Sequence, residues 1–218
     1  MRFSLRGAGL STALAVVGML ACAGASAADL QITGDQAAWQ ELHAAFDKLL
    51  ALPSFKMRYQ GTTSQGNATW TWEVMPDRSH AKLVLDSGNG EEDVTVGGQS
   101  RHRFMAAGGG EGPWNCGPGP LTMDPAAFAD FSHGFQGTLI MSRGPATIID
   151  NVPMRAYVAA AASANNAVLT KTTVYVASTT GLPRRSQSIG STRGETGQST
   201  TDFYDFSVPV TISLPPCQ

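Results

Sequence analysis

Apolar and polar residues alternate with a period of two along much of this 218-residue chain. The longest run is the C-terminal stretch FYDFSVPVTISL (203–214), in which every second residue from Tyr204 to Leu214 is apolar. Such alternation is typical of a β-strand with one buried side and one solvent-facing side. Pro209 lies on the polar side and has no backbone N–H to donate, so an edge strand or a bulged strand is predicted.

A β-hairpin is predicted just before this stretch. Its strands are TTVYVAS (172–178) and RRSQSIG (184–190), and the TTGLP segment joins them. Gly181 can adopt the positive φ that a tight turn needs. The polar segment 191–201 is then predicted to be a loop that leads into the C-terminal strand.

The first half of the chain predicts an antiparallel meander, because turn signals recur at intervals of about eight to twelve residues. Each of its strands has apolar side chains on one side, and these sets are Phe55/Met57/Tyr59, Trp70/Trp72/Val74 and Ala81/Leu83/Leu85. Further strands are predicted at 93–98, 101–106, GTLIMS, ATIID and MRAYVAAA, with a turn at Asp150-Asn151. The fold class is therefore mainly β with some α.

One long helix is predicted before the meander, because apolar residues recur there at helical spacing until Pro53: Trp39, Leu42, Phe46, Leu49 and Leu50. Thr33 with Gln36 offers a capping box for its N-terminus, and Asp35 is a second candidate cap. A second, short helix is predicted where Asp124-Pro125 precedes Phe128 and Phe131.

The N-terminus has the features of a signal peptide at residues 1–27. Arg2 and Arg6 precede an apolar run, and Ala25-Ser26-Ala27 gives a small-x-small cleavage pattern. This pattern predicts that cleavage leaves a single mature domain (28–218) in the periplasm. Cys22 loosely resembles a lipoprotein processing site, but the leucine is one position away from its usual place. A lipid anchor at Cys22 is therefore the less favoured alternative.

Two cysteines remain in the mature chain, Cys116 and Cys217. In an oxidising compartment such a pair is most simply a disulfide, which would pin the Gly/Pro-rich surface loop 107–120 to the C-terminal tail. Two free thiols are the alternative.

The remaining composition excludes several functions. The formal net charge is −2 and no basic block occurs, so no nucleic acid is expected as a partner. No histidine has a second ligand at metal spacing, so neither a metal nor another cofactor is expected; the four are His43, His80, His102 and His133. No GxSxG motif occurs, so no enzyme is predicted. The acids Glu91, Glu92 and Asp93 are predicted to form a solvated hairpin tip.

The C-terminal third resembles the LolA/LppX-like superfamily of periplasmic lipoprotein carriers and lipid-binding lipoproteins. The residues that carry the resemblance are TGLP followed by basic residues, then the Phe203–Phe206 step, which runs into PVTISLP. The resemblance implies a strongly curved antiparallel sheet, an open half-barrel. It also implies that the N-terminal helix and the short helix lie on the concave face.

The resemblance also implies that this face lines an apolar cavity for lipid or lipoprotein acyl chains, with no covalent chemistry and a membrane-associated protein as a further partner. The residues predicted to line it are Trp39, Phe46, Phe55, Met57, Trp70, Trp72, Val74, Leu83, Tyr204 and Phe206. A monomer is expected. The alternative is a secreted interaction or structural module with a filled core, because a filled core and a cavity require the same residue pattern.

Overall fold

The computed structural model describes residues 30–63, 66–108, 110–121, 137–163, 168–192 and 195–218. The predicted signal peptide, Cys22 and the predicted short helix after Asp124 lie outside these residues. The described chain forms one helix and one sheet. The helix is α1 (Gln36–Leu50). The strands are β1 (Leu30–Gly34), β2 (Phe55–Thr63), β3 (Gly66–Met75), β4 (Arg78–Leu85), β5 (Gly90–Val96), β6 (Gln99–Ala106), β7 (Gly110–Glu111), β8 (Asn115–Cys116), β9 (Gly137–Arg143), β10 (Thr147–Ile149), β11 (Val152–Ser163), β12 (Val168–Ala177), β13 (Pro183–Thr192) and β14 (Glu195–Tyr204).

The described strands are ordered β1-β9-β11-β12-β13-β14-β2-β3-β4-β5-β6-β7, with β10 beside β11 and β8 beside β6. The pairing of β1 with β9 is parallel and the other pairings are antiparallel. Within the described chain the end strands β1 and β7 do not pair with each other, so the sheet stays open. The fold is the predicted curved half-barrel with an amphipathic helix.

Strand register shows which side chains share a face, because directly paired residues of neighbouring strands point the same way. The row Phe203, Met57, Trp72, Ala81 and Asp93 runs across five adjacent strands. The first four of these side chains are buried and apolar. This row therefore marks the concave face, and the alternate residues form the convex face.

Helix α1 lies on the concave face. It buries Ala38, Leu42, Ala45, Phe46 and Leu49. Near its start Tyr157 donates a hydrogen bond to Glu41 (2.7 Å), and near its end Lys48 donates to the Thr180 carbonyl (2.5 Å). The helix thus spans from β11 to the turn between β12 and β13.

The N-cap of α1 is Asp35, whose carboxylate accepts a hydrogen bond from the Ala38 N–H at 2.9 Å. Thr33 lies in β1, so the capping box was wrong and the second candidate cap is confirmed. The strand β1 itself was not predicted. Its hydrogen-bonding partner β9 lies about a hundred residues away in the sequence, so no local turn signal announces it.

The C-terminal stretch 203–214 is not one long strand. Only Phe203 and Tyr204 belong to β14, and the backbone then turns where Asp205 and Ser207 adopt φ angles of 51° and 59°. Side chains can alternate between two faces only while the backbone stays extended, so the predicted faces of this stretch were wrong. We refer to residues 205–218 as the rim strap.

The rim strap follows one end of the sheet from β14 to β8. The Ser207 N–H donates to the Ser54 carbonyl (2.8 Å), and Ser54 Oγ donates to the Val208 carbonyl (2.6 Å). Further along, Arg78 donates to the Ile212 carbonyl at 3.3 Å. The strap thus packs along the ends of β2 and β4.

Two further predictions were wrong. The segment 191–201 is not a loop, since Glu195–Tyr204 forms β14. The acids Glu91, Glu92 and Asp93 are not a hairpin tip, since they lie inside β5, where Glu92 and Asp93 are 7% and 2% exposed.

The hairpin of β12 and β13 is confirmed, with Gly181 at a φ of 68°, and so is the turn at Asp150 and Asn151, with φ angles of 50° and 62°.

Candidate functional site

Nine of the ten residues predicted to line a cavity lie together on the concave face or pack against it. Seven are buried there: Phe46, Phe55, Met57, Trp70, Trp72, Val74 and Leu83. Trp39 and Phe206 are partly buried against the same cluster. The alternation within β2 and β3 therefore located this face correctly.

Tyr204 is the exception. It pairs with Lys56 on the convex face, whereas its neighbour Phe203 points inward and is 5% exposed. The prediction chose the wrong side of this strand because the apolar residues of the rim strap were counted with it. Phe203 takes the inward place, and its ring lies 6.0 Å from that of Phe46 in α1 in an edge-on arrangement.

Aromatic rings form a continuous group at the centre of the concave face. The rings of Tyr59 and Trp70 are 5.3 Å apart, and so are those of Trp70 and Trp72. Both indoles are at least nine-tenths buried, yet neither Nε1 atom has a hydrogen-bond partner among the described residues. Buried N–H donors normally find a partner, so these two indole groups have unused hydrogen-bonding capacity.

Hydroxyl side chains cover the concave face on the other side of the half-barrel, and sequence reasoning missed them. Four are buried in β12 to β14: Thr170, Ser186, Ser188 and Thr201. Thr172 Oγ1 lies 2.8 Å from Ser188 Oγ, while Thr170 Oγ1 has no partner in the described part of the chain. The available signal was the alternation of small hydroxyl residues within the segments predicted as hairpin and loop.

The convex face of β2 to β6 carries a network of charged side chains. Lys56 contacts Glu73 (2.9 Å), and the His80 ring contacts Glu73 (3.5 Å) and Glu92 (2.6 Å). Arg103 continues the network to Glu92 at 2.5 Å and also pairs with Glu111. We refer to these residues as the convex ion network.

Glu92 is the centre of this network. Burial alone would raise the pKa of Glu92, but hydrogen bonds from His80 and Arg103 outweigh burial and lower that pKa to about 2. The bond to Glu92 in turn raises the pKa of His80. The charges of the network therefore compensate one another within the protein.

Two acids occupy the concave face at the β5 end. Asp93 Oδ2 accepts a hydrogen bond from the Leu121 N–H at 2.6 Å, while Oδ1 has no partner among the described residues. Burial raises the pKa of Asp93. Burial also raises the pKa of Glu91, and the nearby Asp93 charge adds to that rise. The interior at this end therefore favours the neutral forms of these two carboxyls more than water does.

The predicted disulfide between Cys116 and Cys217 is confirmed, with a Cα–Cα distance of 5.4 Å. It joins β8 to the end of the rim strap, where the Gln218 N–H also donates to the Trp114 carbonyl at 2.9 Å. The bond closes a loop of 101 residues. The far end of the strap is therefore held covalently.

The described ranges contain no group of three or more His, Cys, Asp or Glu side chains placed to hold a metal ion. His102, which lies between two arginines in sequence, has its Nδ1 atom 3.3 Å from the Gly117 carbonyl. No helix in the described part of the chain has the length and apolar content needed to cross a membrane.

Comparison with known proteins supports the fold. No family model and no curated protein matches the sequence. Among solved structures, LprF from Mycobacterium bovis aligns with a TM-score of 0.53 at 12% identity, over 84% of this chain and 99% of its own. The fold is of the LolA/LppX type.

Weaker structural matches include a DUF1329 family protein from Desulfovibrio piger, with a TM-score of 0.35 at 9% identity over 82% of this chain and 96% of its own. The hypothetical protein CT021 from Chlamydia trachomatis gives a TM-score of 0.38 at 10% identity, over 79% of this chain and 96% of its own.

Proposed function

We propose that this protein binds acyl chains of lipids or lipoproteins against its concave face and carries them within the cell envelope, without covalent chemistry. The observation that supports this most is the aromatic group of Tyr59, Trp70 and Trp72, which lies in the interior of an open sheet. In the described chain, the helix that covers this face is α1.

The expected affinity follows from the burial of methylene groups. Each methylene transferred from water to an apolar interior contributes about 0.8 kcal/mol. A chain of about twelve carbons would thus contribute roughly 9–10 kcal/mol before the entropic cost of association, which is enough for a micromolar complex.

The proposed location is extracytoplasmic, and the disulfide between Cys116 and Cys217 supports it, because such bonds persist in oxidising compartments. The leader pattern at residues 1–27 agrees with cleavage before a periplasmic domain. Intact-mass measurement of the exported protein tests the cleavage after Ala27. A mass that matches acylated Cys22 would contradict it.

A chain-length series tests the function. Nile red is bound to the purified protein and displaced with octan-1-ol, decan-1-ol and dodecan-1-ol. If the chain is buried, each additional pair of methylenes should tighten binding by about tenfold. Adsorption to the surface would give a much flatter dependence on length. A flat series, or no displacement at tens of micromolar, would favour the interaction module with a filled core.

A further inference from the structure

We propose that the concave face binds an uncharged oxygen-bearing group at the polar end of its ligand, such as an ester, an amide or a hydroxyl, and discriminates against an ionised carboxylate or phosphate. This inference rests on the proposed acyl-chain binding and specifies which class of ligand is bound. The site is the hydroxyl face of β12 to β14.

The hydroxyl face is built by strand pairing. Ser186 pairs with Thr201, and Ser188 pairs with Ser199, across β13 and β14. Side chains paired in this way point to the same face, so the four hydroxyls form a patch. Thr170 lies on the inward side of the adjacent β12, like Val174, and is 2% exposed. The interior therefore contains a patch of neutral hydroxyl groups.

Two inward-facing polar atoms have no partner among the described residues: Thr170 Oγ1 and Trp70 Nε1. Both residues are at least nine-tenths buried, with exposures of 2% and 5%. A hydroxyl can donate or accept a hydrogen bond, whereas an indole N–H can only donate. A carbonyl or hydroxyl oxygen of a ligand therefore suits Thr170 Oγ1. Trp70 lies on β3, four strands from β12 in the sheet, and is not part of the same contact.

Small residues leave room beside this patch. Gly190 pairs with Gly197, and both lie on the concave face because the next pair along the same two strands is Ser188 and Ser199. A Cβ atom built on Gly197 would meet no heavy atom within 4 Å. A ligand group can therefore approach the backbone of β14 next to the hydroxyls.

The charges argue against an anionic group at this site. None of the residues paired directly with Thr170, Ser186, Ser188 and Thr201 is a lysine or an arginine. Arg143, three strands from Ser186 in the same row, binds Asp35 and Glu41. Arg184 lies over the Phe206 ring at the rim strap (5.1 Å). A buried anion without a counter-charge is strongly disfavoured, whereas a neutral oxygen needs only a hydrogen bond.

Three ligands with the same twelve-carbon chain test the proposal: dodecan-1-ol, 1-monolauroylglycerol and lauric acid, each displacing Nile red from the wild-type protein at pH 8. The carboxyl of lauric acid is ionised at this pH. We expect both neutral ligands to bind at least about tenfold more tightly than laurate. Laurate binding equally well or better would overturn the proposal and leave acyl-chain binding intact. Displacement by none of the three would overturn both.

Two variants, each with a matched control, locate the contact. Thr170→Val keeps the shape of the side chain and removes the hydroxyl, so affinity for 1-monolauroylglycerol should fall about fivefold. Thr173→Val, on the convex side of the same strand, is the matched control and should change nothing. Gly197→Leu should weaken binding of 1-monolauroylglycerol, and Gln198→Leu should not. Unchanged affinity in both Thr170→Val and Gly197→Leu would overturn the assignment. The comparison of the three ligands uses the wild-type protein and so does not depend on any variant folding.

Discussion

The concave and convex faces of β2 to β5 consist of alternate residues of the same strands, yet they satisfy their polar groups in different ways. On the convex face, Glu92 binds both His80 and Arg103, so its charge is compensated by neighbours in the sheet. On the concave face, the indole N–H groups of Trp70 and Trp72 are buried without a partner in the described chain.

The difference indicates where the molecule can interact with a ligand. A polar group that is already paired gains little from a new partner, whereas a buried unpaired group gains a full hydrogen bond. The convex ion network therefore contributes to the stability of the sheet, and the concave face supplies both apolar area and free donors. Ligand binding is expected on the concave side.

The largest expected effect comes from removing an aromatic side chain of the concave face. Trp72 is 2% exposed, so Trp72→Ala should lower the free energy of unfolding by about 3–5 kcal/mol through lost burial and a cavity. Thr71→Ala, the convex-side neighbour on β3, should lower it by less than about 1 kcal/mol. Denaturant unfolding measures both, and equal losses would show that the two faces are not distinct in packing.

The next effect concerns the rim strap, which runs along one end of the sheet where the two faces meet. Replacing Cys116 and Cys217 together with serine removes the tie that closes a 101-residue loop. Unfolding free energy should fall by about 2–4 kcal/mol, because the unfolded chain regains entropy. Guanidinium unfolding of the double variant is compared with the oxidised wild type. Reduced wild type should match the double variant, and a double variant as stable as oxidised wild type would contradict the role given to the strap.

A smaller effect is expected from the convex ion network. Glu92→Ala leaves Arg103 and His80 without their shared carboxylate and should lower unfolding free energy by about 2–3 kcal/mol at pH 7. Glu111→Ala, at a more exposed carboxylate that also pairs with Arg103, should lower it by less than about 1 kcal/mol.

The pH dependence gives a second readout of the same network. The pKa of Glu92 is lowered from 4.5 to about 2 on folding, so its contribution is present above about pH 4.5 and is lost as pH falls toward 2. Wild type should lose stability over this range relative to Glu92→Ala. If the free energies of unfolding of the two proteins changed equally with pH over this range, the partners would not be lowering the pKa of Glu92.

Sequence patterns predicted one kind of strand well. In β2 and β3 large apolar residues occupy every second position, so Met57 and Trp72 could be assigned to the interior without knowing their neighbours. The same reasoning missed β14, whose inward residues Ser199 and Thr201 are small and polar. A hydrophobic pattern cannot show a buried face that is made of hydroxyls.

The other errors have a long-range or conformational cause. Local sequence marked Glu92 as solvated, because its partners His80 and Arg103 are 12 and 11 residues away on neighbouring strands. The apolar alternation after Tyr204 did not make a strand, because positive φ angles at Asp205 and Ser207 end the extended backbone. The unpaired donors of Trp70 and Thr170 required coordinates to recognise.

Extraction of the native protein tests acyl-chain binding most directly. The protein is purified from the cell envelope without detergent, extracted with organic solvent and analysed by mass spectrometry, with a Trp72→Ala preparation as the control. We predict that lipids with acyl chains co-purify with wild type at near-stoichiometric amounts and are depleted in the variant. An extract of wild type without bound lipid, from protein that also fails to take up dodecan-1-ol, would contradict the account.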